Sequence, residues 1–319
     1  MKEQLESLNA LSISFGQGGM AVVNIILAFI MFGVALGIKF QTFKDVFKNP
    51  KSVFVGIFLQ WVALPAVTFA VALILSPVIT PMIALGMILV ASCPGGNISN
   101  FMSSLSKGNI ELSVSLTAIT TAFAPLVTPF NFFLWGSLYS QIIAIRSNIP
   151  TLVIPFFPML EQILLLLGVP IVLGMLCARY CPGITKKISK PTQYISILLF
   201  LAMVVASFSQ NFKLFIENLH FVCIIVLIHN GFALATGYFG ARLAKLPIRD
   251  CRSLTVETGI QNSGLGLILL FNPHIFPPEI WHGHYGGMLI ITAWWGIWHI
   301  ISGLTVSYLF RRKPIVEYL

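Results

Sequence analysis

The chain has 319 residues, of which 57% are hydrophobic and 9% charged, with a net charge of +9 and a mean hydropathy of +0.90. So few charges cannot solvate the surface of a water-soluble domain, and the chain reads as a membrane protein whose partner is the lipid bilayer. The positive balance does not point to nucleic acid, because the Lys and Arg residues lie between apolar segments, where topogenic charge accounts for them.

Apolar stretches of about 20 residues, long enough to cross a bilayer, predict nine helices at 19–38, 52–75, 81–106, 110–135, 158–178, 191–209, 218–241, 250–271 and 285–309. Residues 1–18 form a leader carrying Glu3 and Glu6, without the basic start and small-residue cleavage pattern of a signal peptide. The second segment has Gln60 midway. The third is broken by Cys93-Pro94-Gly95-Gly96-Asn97-Ile98-Ser99-Asn100, in which a proline and two glycines interrupt the helical hydrogen-bond ladder. The seventh carries His229 and Asn230, and the eighth is interrupted at Glu257-Thr258-Gly259-Ile260-Gln261-Asn262-Ser263-Gly264.

Topology follows from the basic residues. Three of them (Lys2, Arg146 and Lys213) fall on one side of this arrangement and the other sixteen on the opposite side. The positive-inside rule then puts the N-terminus outside and residues 310–319 in the cytoplasm, in a plasma membrane or bacterial inner membrane. The first and sixth segments both finish in Gln-x-Phe-Lys, at Gln41 to Lys44 and Gln210 to Lys213, and the two breaks lie five segments apart. An odd offset inverts the second unit relative to the first. Residues 19–135 and 158–309 therefore read as an inverted repeat within one transporter domain spanning 1–319, with both breaks brought to a similar depth.

Glu257 is the one carboxylate well inside a predicted span, and insertion scales put the cost of such burial at about 2.5–3.5 kcal/mol. No Lys or Arg lies at comparable depth, so a cation or a proton is its economical partner. Oxygen donors surround it. The first break frees carbonyls and is followed by Ser99 and Asn100; Ser113 and Thr117 share a face of the next helix; the second break adds Gln261, Asn262 and the backbone from Thr258 to Ile260. Hard cations such as Na+ take ligands of this kind.

Together the two interrupted segments resemble the paired motifs of the bile acid:sodium symporter family, and the likeness in motif order extends from about Asn24 to the C-terminal basic cluster. The resemblance implies an all-α membrane protein with two discontinuous crossing helices, the third and eighth, in a core domain that rocks against a panel domain. It also implies two sodium sites. One would use Ser99, Asn100, Ser113, Thr117 and Glu257; the other Gln60, Glu257, Gln261 and the carbonyls of Thr258 and Ile260.

Two positions near the expected substrate cavity depart from the family pattern: Asn97 stands where Thr is common, and Ile300 where prokaryotic relatives often have Asn. A bile acid and a smaller keto or hydroxy carboxylate both stay open as the organic anion. Asn97 and Asn262, with break N–H groups, are the candidates for holding its carboxylate. A proton-coupled carrier or exporter of the same fold, with Glu257 as proton acceptor, and a non-transporting sensor are the alternatives. An enzyme is not expected, because one lone intramembrane carboxylate provides neither a nucleophile–base pair nor a metal cluster. No obligate protein partner is indicated. The five cysteines read as small hydrophobes and His274, His282 and His284 as an interfacial loop, while the Asn97-Ile98-Ser99 sequon is too buried to be modified.

Overall fold

A computed structural model of the chain describes residues 5, 6, 8, 17–38, 50–147, 154–209, 212–272, 275–276 and 285–314. Eleven helices are formed among them: α1 (Gln17–Ala35), α2 (Pro50–Leu75), α3 (Pro81–Ser92), α4 (Ile98–Leu105), α5 (Ile110–Ser147), α6 (Phe156–Tyr180), α7 (Pro182–Ser209), α8 (Phe212–Leu243), α9 (Ile248–Gly259), α10 (Ser263–Leu270) and α11 (Gly286–Arg312). Five of these, α2, α5, α6, α8 and α11, contain stretches long and apolar enough to cross a membrane. Large side chains such as Ile74, Ile145, Phe157 and Leu243 are three-quarters or more exposed, which is where lipid rather than water is the solvent.

The expected segments all correspond to helices, with three differences. α5 runs well past 135 to Ser147, because Leu138 to Ile145 offers a good helix-forming apolar turn and the bilayer tolerates Pro125 and Pro129 within it. α7 starts at Pro182 instead of 191, since a proline suits the first helical turn and Lys186, Lys187 and Lys190 are themselves helix formers. Wide π-turns occupy Leu59–Ala63 in α2 and Leu164–Gly168 in α6. The Gln41 to Lys44 motif, Gln210, most of the 1–18 leader and the loop histidines lie outside the described residues; Leu5 and Leu8 of the leader are buried in the main core.

α3 is apolar on every face and buried from Met82 to Ser92, which makes it an interior helix packed against α2, α5 and α11. α9 is equally buried yet polar, so it needs partners within the protein. It finds them on three sides. Ser52 Oγ and Asn109 Nδ2 donate to the Asp250 carboxylate at 2.5 and 2.8 Å, Ser253 Oγ donates to the Asn109 carbonyl at 2.8 Å, and the Arg252 guanidinium donates to the carbonyls of Ser106 and Lys313, both at 2.9 Å. α8 runs along α9, while α1 packs with α6 and α7; this group meets the rest through α6 on α5, α7 on α8, and Asn272 Nδ2 past α10, which donates to Asn24 Oδ1 of α1 at 3.0 Å.

The α8–α9 contact is close enough to require a glycine. A Cβ on Gly237 would lie 2.5 Å from the Leu254 carbonyl oxygen and 2.8 Å from Thr255 Cα, both backbone atoms that cannot step aside, whereas a Cβ on Gly231 of the same helix meets nothing within 4 Å. Gly237→Ala is therefore expected to destabilise the fold by about 1–3 kcal/mol, the usual cost of overpacking, and Gly231→Ala to be neutral or stabilising by about 0.4–1 kcal/mol. Thermal unfolding of the detergent-solubilised protein checks both, and equal midpoints would contradict the α8–α9 contact.

Candidate functional site

Each break gives up helical hydrogen bonds, and the two breaks repair one another. Past Ser92 the chain turns extended at Cys93, and Gly95 pairs antiparallel with Gln261. Gly96 N–H donates to the Ile260 carbonyl at 2.7 Å and Asn262 N–H to the Pro94 carbonyl at 2.8 Å. Asn230 Nδ2 on α8 reaches the Gly259 carbonyl at 2.8 Å, closing the C-terminal end of α9. The approach leaves no room for side chains, since a Cβ on Gly95 would stand 2.5 Å from Glu257 Oε1 and 3.2 Å from Gln60 Nε2.

Four helix ends consequently meet at one level. The C-termini of α3 and α9 and the N-termini of α4 and α10 all face the paired breaks, so negative and positive dipole ends lie side by side.

Glu257 is fully buried, and its carboxylate is met by uncharged hydroxyls from two other helices. Ser99 Oγ of α4 donates to Oε2 at 2.5 Å, Ser113 Oγ of α5 to Oε2 at 2.8 Å, and Thr117 Oγ1 of α5 to Oε1 at 2.6 Å. Asn100 Oδ1 lies 2.9 Å from Ser113 Oγ and 3.2 Å from Thr117 Oγ1. Acceptors outnumber protons here. Each hydroxyl has one hydrogen, yet Ser113 faces both a carboxylate and an amide oxygen, and Thr117 faces these and the Ser113 carbonyl at 3.0 Å. All five residues expected in the first cation group are therefore in contact, and their surplus of oxygen lone pairs fits a cation.

The second expected group also converges, around Gln60 in the π-turn of α2. Gln60 Nε2 donates to the Glu257 carbonyl at 3.4 Å, and Gln261 Nε2 to the Thr258 carbonyl at 2.8 Å. Three buried oxygens have no hydrogen-bond partner among the described residues: Gln60 Oε1, Gln261 Oε1 and Thr258 Oγ1. Unsatisfied buried oxygens are costly, and three together fit an oxygen-seeking ion. Thr258 enters the site by its hydroxyl, a role that the sequence reading missed by counting only its carbonyl. The signal for it was simply a Thr next to Glu257. The carbonyls of Thr258 and Ile260 each already accept one hydrogen bond and keep a second lone pair.

The residues expected to hold the anion are placed less uniformly. Asn97 and Asn262 occupy equivalent positions, each at the N-terminus of the half-helix that follows its break. Asn262 Oδ1 caps α10 through Leu265 N–H at 3.0 Å, leaving its amide NH2 outside that cap; Asn97 makes no capping bond and is exposed. Ile300 is 38% exposed on α11, one turn from Gly296 and Gly303, whose nearest neighbours include Ser263 and, for Gly303, Met102 and Ile260. It thus lies at the edge of the α11 face that covers the breaks.

Comparison with known proteins gives this geometry a context. A family model described as the Sodium Bile acid symporter family matches residues 24–218, a stretch that includes Gln60, the first break, Ser113 and Thr117 but ends before Glu257. The sodium-dependent transporter YocS of Bacillus subtilis (strain 168) is 32% identical over 279 residues, which cover 85% of this chain and 82% of that protein. The probable sodium/metabolite cotransporter BASS2, chloroplastic, of Oryza sativa subsp. japonica is 31% identical over 76% of this chain, which spans little more than half (55%) of the rice protein. The ileal sodium/bile acid cotransporter of Oryctolagus cuniculus is 28% identical over 76% of this chain and 67% of its own length. These relatives are transporters, not enzymes. With a family match over more than half of its length and a relative 32% identical over 85% of it, the chain belongs to the sodium bile acid symporter family.

Proposed function

We propose that the protein carries an organic anion across a plasma or bacterial inner membrane together with sodium, by alternating access. The observation that carries this reading is the convergence on Glu257 of hydroxyls from α4 and α5, with the Asn100 amide oxygen against two of them, next to three buried oxygens that have no hydrogen-bond partner among the described residues. Two cation sites follow. Ser99, Asn100, Ser113, Thr117 and Glu257 form one, and Gln60, Glu257, Thr258, Ile260 and Gln261 the other. The shared carboxylate offsets the positive charge of the ions, and the C-terminal dipole ends of α3 and α9 add to it.

In this reading α3–α4 and α9–α10 are the two discontinuous members of nine spans, crossing at their paired breaks and related by an inverted repeat of 19–135 and 158–309. α1, α6 and α7 act as the panel against which the other helices rock. The N-terminus is outside and the C-terminus cytoplasmic. The anion binds where the N-termini of α4 and α10 point their free amides, held by Asn97 and Asn262 and bordered by Ile300. The names of the relatives support both a bile acid and a smaller metabolite carboxylate.

Coupling can be read directly. Glu257→Gln keeps the shape of the side chain and removes its charge, so sodium-dependent thermal stabilisation and sodium-driven uptake are both expected to vanish; full uptake in this variant would refute the shared-carboxylate reading. In the unmodified protein, sodium affinity falls as the pH drops, because a protonated carboxylate cannot act as a metal ligand. Ser113→Ala combined with Thr117→Val should raise the sodium concentration for half-maximal uptake without loss of expression. Uptake driven by a pH gradient in sodium-free choline buffer would instead establish a proton carrier, and absence of any flux a sensor.

Anion recognition is tested separately. Hydrogen bonds to a charged group are worth about 1.5–3 kcal/mol, so Asn97→Ala or Asn262→Ala should weaken carboxylate binding by roughly tenfold or more in calorimetry while sodium binding stays measurable. Ile300→Asn is expected to change which anion is preferred. Unchanged anion affinity in both asparagine variants would move the substrate into the cleft between α1, α6, α7 and the remaining helices.

A further inference from the structure

α5 carries a polar stripe that extends beyond the cation cluster. Ser113, Thr117, Thr121, Thr128 and Asn131 fall within about 80° of one another on a helix of 3.6 residues per turn. The first two touch Glu257, and Asn131 Nδ2 donates to the Trp61 carbonyl in the π-turn of α2 at 2.9 Å. Between them, Thr121 and Thr128 are 4% and 1% exposed, and neither hydroxyl meets a hydrogen-bond partner among the described residues. Buried threonines in helices ordinarily donate to the carbonyl four residues back, as Thr117 does to Ser113 at 3.0 Å and Thr120 to Leu116 at 2.9 Å. Thr121 and Thr128 do not.

The backbone of the same stretch adds to the surplus. Pro125 and Pro129 have no N–H, so the carbonyls of Thr121 and Pro125 lose their helical donors. Pro65 removes the donor of Trp61 in the same way, and there the fold supplies a replacement from Asn131. In α5 the freed carbonyls coincide with two unpartnered hydroxyls. Strung along about 10 Å of helix axis, these neutral oxygens suit a monovalent hard cation passing from one to the next, not held by all four together, whereas a divalent ion would call for carboxylates.

We propose that Thr121, Thr128 and the carbonyls of Thr121 and Pro125 form a transient way-station for the transported cation. The station begins one turn from Thr117, about 6 Å along the axis, and extends to about 16 Å from it. It connects the Glu257 cluster to the C-terminal half of α5. This rests on the reading of the Glu257 cluster as a sodium site, and it adds a route by which the ion reaches or leaves that site.

The test separates equilibrium from rate. In the double variant Thr121→Val with Thr128→Val, the sodium midpoint of thermal stabilisation should stay within twofold of the unmodified protein, and the sodium-free melting temperature should be equal or higher, because two unpaired hydroxyls have been replaced by methyl groups. The initial rate of radioactive sodium uptake into proteoliposomes should fall at least fivefold. Thr121→Ser with Thr128→Ser keeps the hydroxyls and should keep the rate; Pro125→Ala, which returns a donor to the Thr121 carbonyl, should slow uptake. A valine double variant with both midpoint and rate unchanged overturns the way-station alone, as does a serine variant as slow as the valine one. An unmodified protein with no sodium-dependent stabilisation overturns the Glu257 reading and the way-station together.

Discussion

Backbone polar groups have no water to turn to inside a bilayer, so a helix that breaks there must find donors and acceptors within the protein. The pairing of Gly95 with Gln261, flanked by the bonds from Gly96 to Ile260 and from Asn262 to Pro94, meets that demand by setting one broken helix against the other. Much else depends on it. Only residues without a Cβ allow the approach at Gly95, and the approach in turn brings the Glu257 carboxylate beside Gln60 and under the hydroxyls of α4 and α5. A second support comes from Asn230, whose amide occupies the Gly259 carbonyl that the break would otherwise leave open.

The site is organised by proton count as much as by charge. Hydroxyls and amides satisfy an ordinary buried carboxylate when each acceptor has its own proton, and here the acceptors exceed the protons. The same imbalance recurs at Gln60, Thr258 and Gln261, where three buried oxygens lack donors among the described residues. Such arrangements are unfavourable in a resting core and favourable around a cation, which is why the family membership and the geometry point in the same direction.

Polar interior helices need anchors at their ends as well. α9 is held by Ser52 and Asn109 at Asp250, and by Arg252, which reaches the carbonyl ends of α4 and α11 and stacks its guanidinium 5.7 Å from the centre of the Phe310 ring. The helix that carries Glu257 is thus tied to α2, α4, α5 and α11 through contacts distinct from the cation cluster. Movement of these helices as a unit is compatible with that bonding.

Much of the architecture was legible in the sequence, because apolar runs of spanning length and the Pro-Gly-Gly interruption are local features with local physical causes. Glu257 stood out as the single deep carboxylate, and Ser113 and Thr117 shared a face by helical spacing alone. The π-turn that presents Gln60, the extension of α5 to Ser147 and the start of α7 at Pro182 were not legible, since propensity and hydropathy do not resolve where a helix widens or how far it continues through prolines. Spacing alone did not join Ser99, Ser113 and Thr117 to a carboxylate 140 to 158 residues away; the grouping came from the resemblance of the two interrupted segments, and the direct hydroxyl–carboxylate contacts came only from the structure. Residue types and their depth are properties of the chain. Which oxygens converge, which remain without a donor and which asparagine becomes a helix cap depend on how two distant breaks pack against each other, and only the tertiary structure decides that.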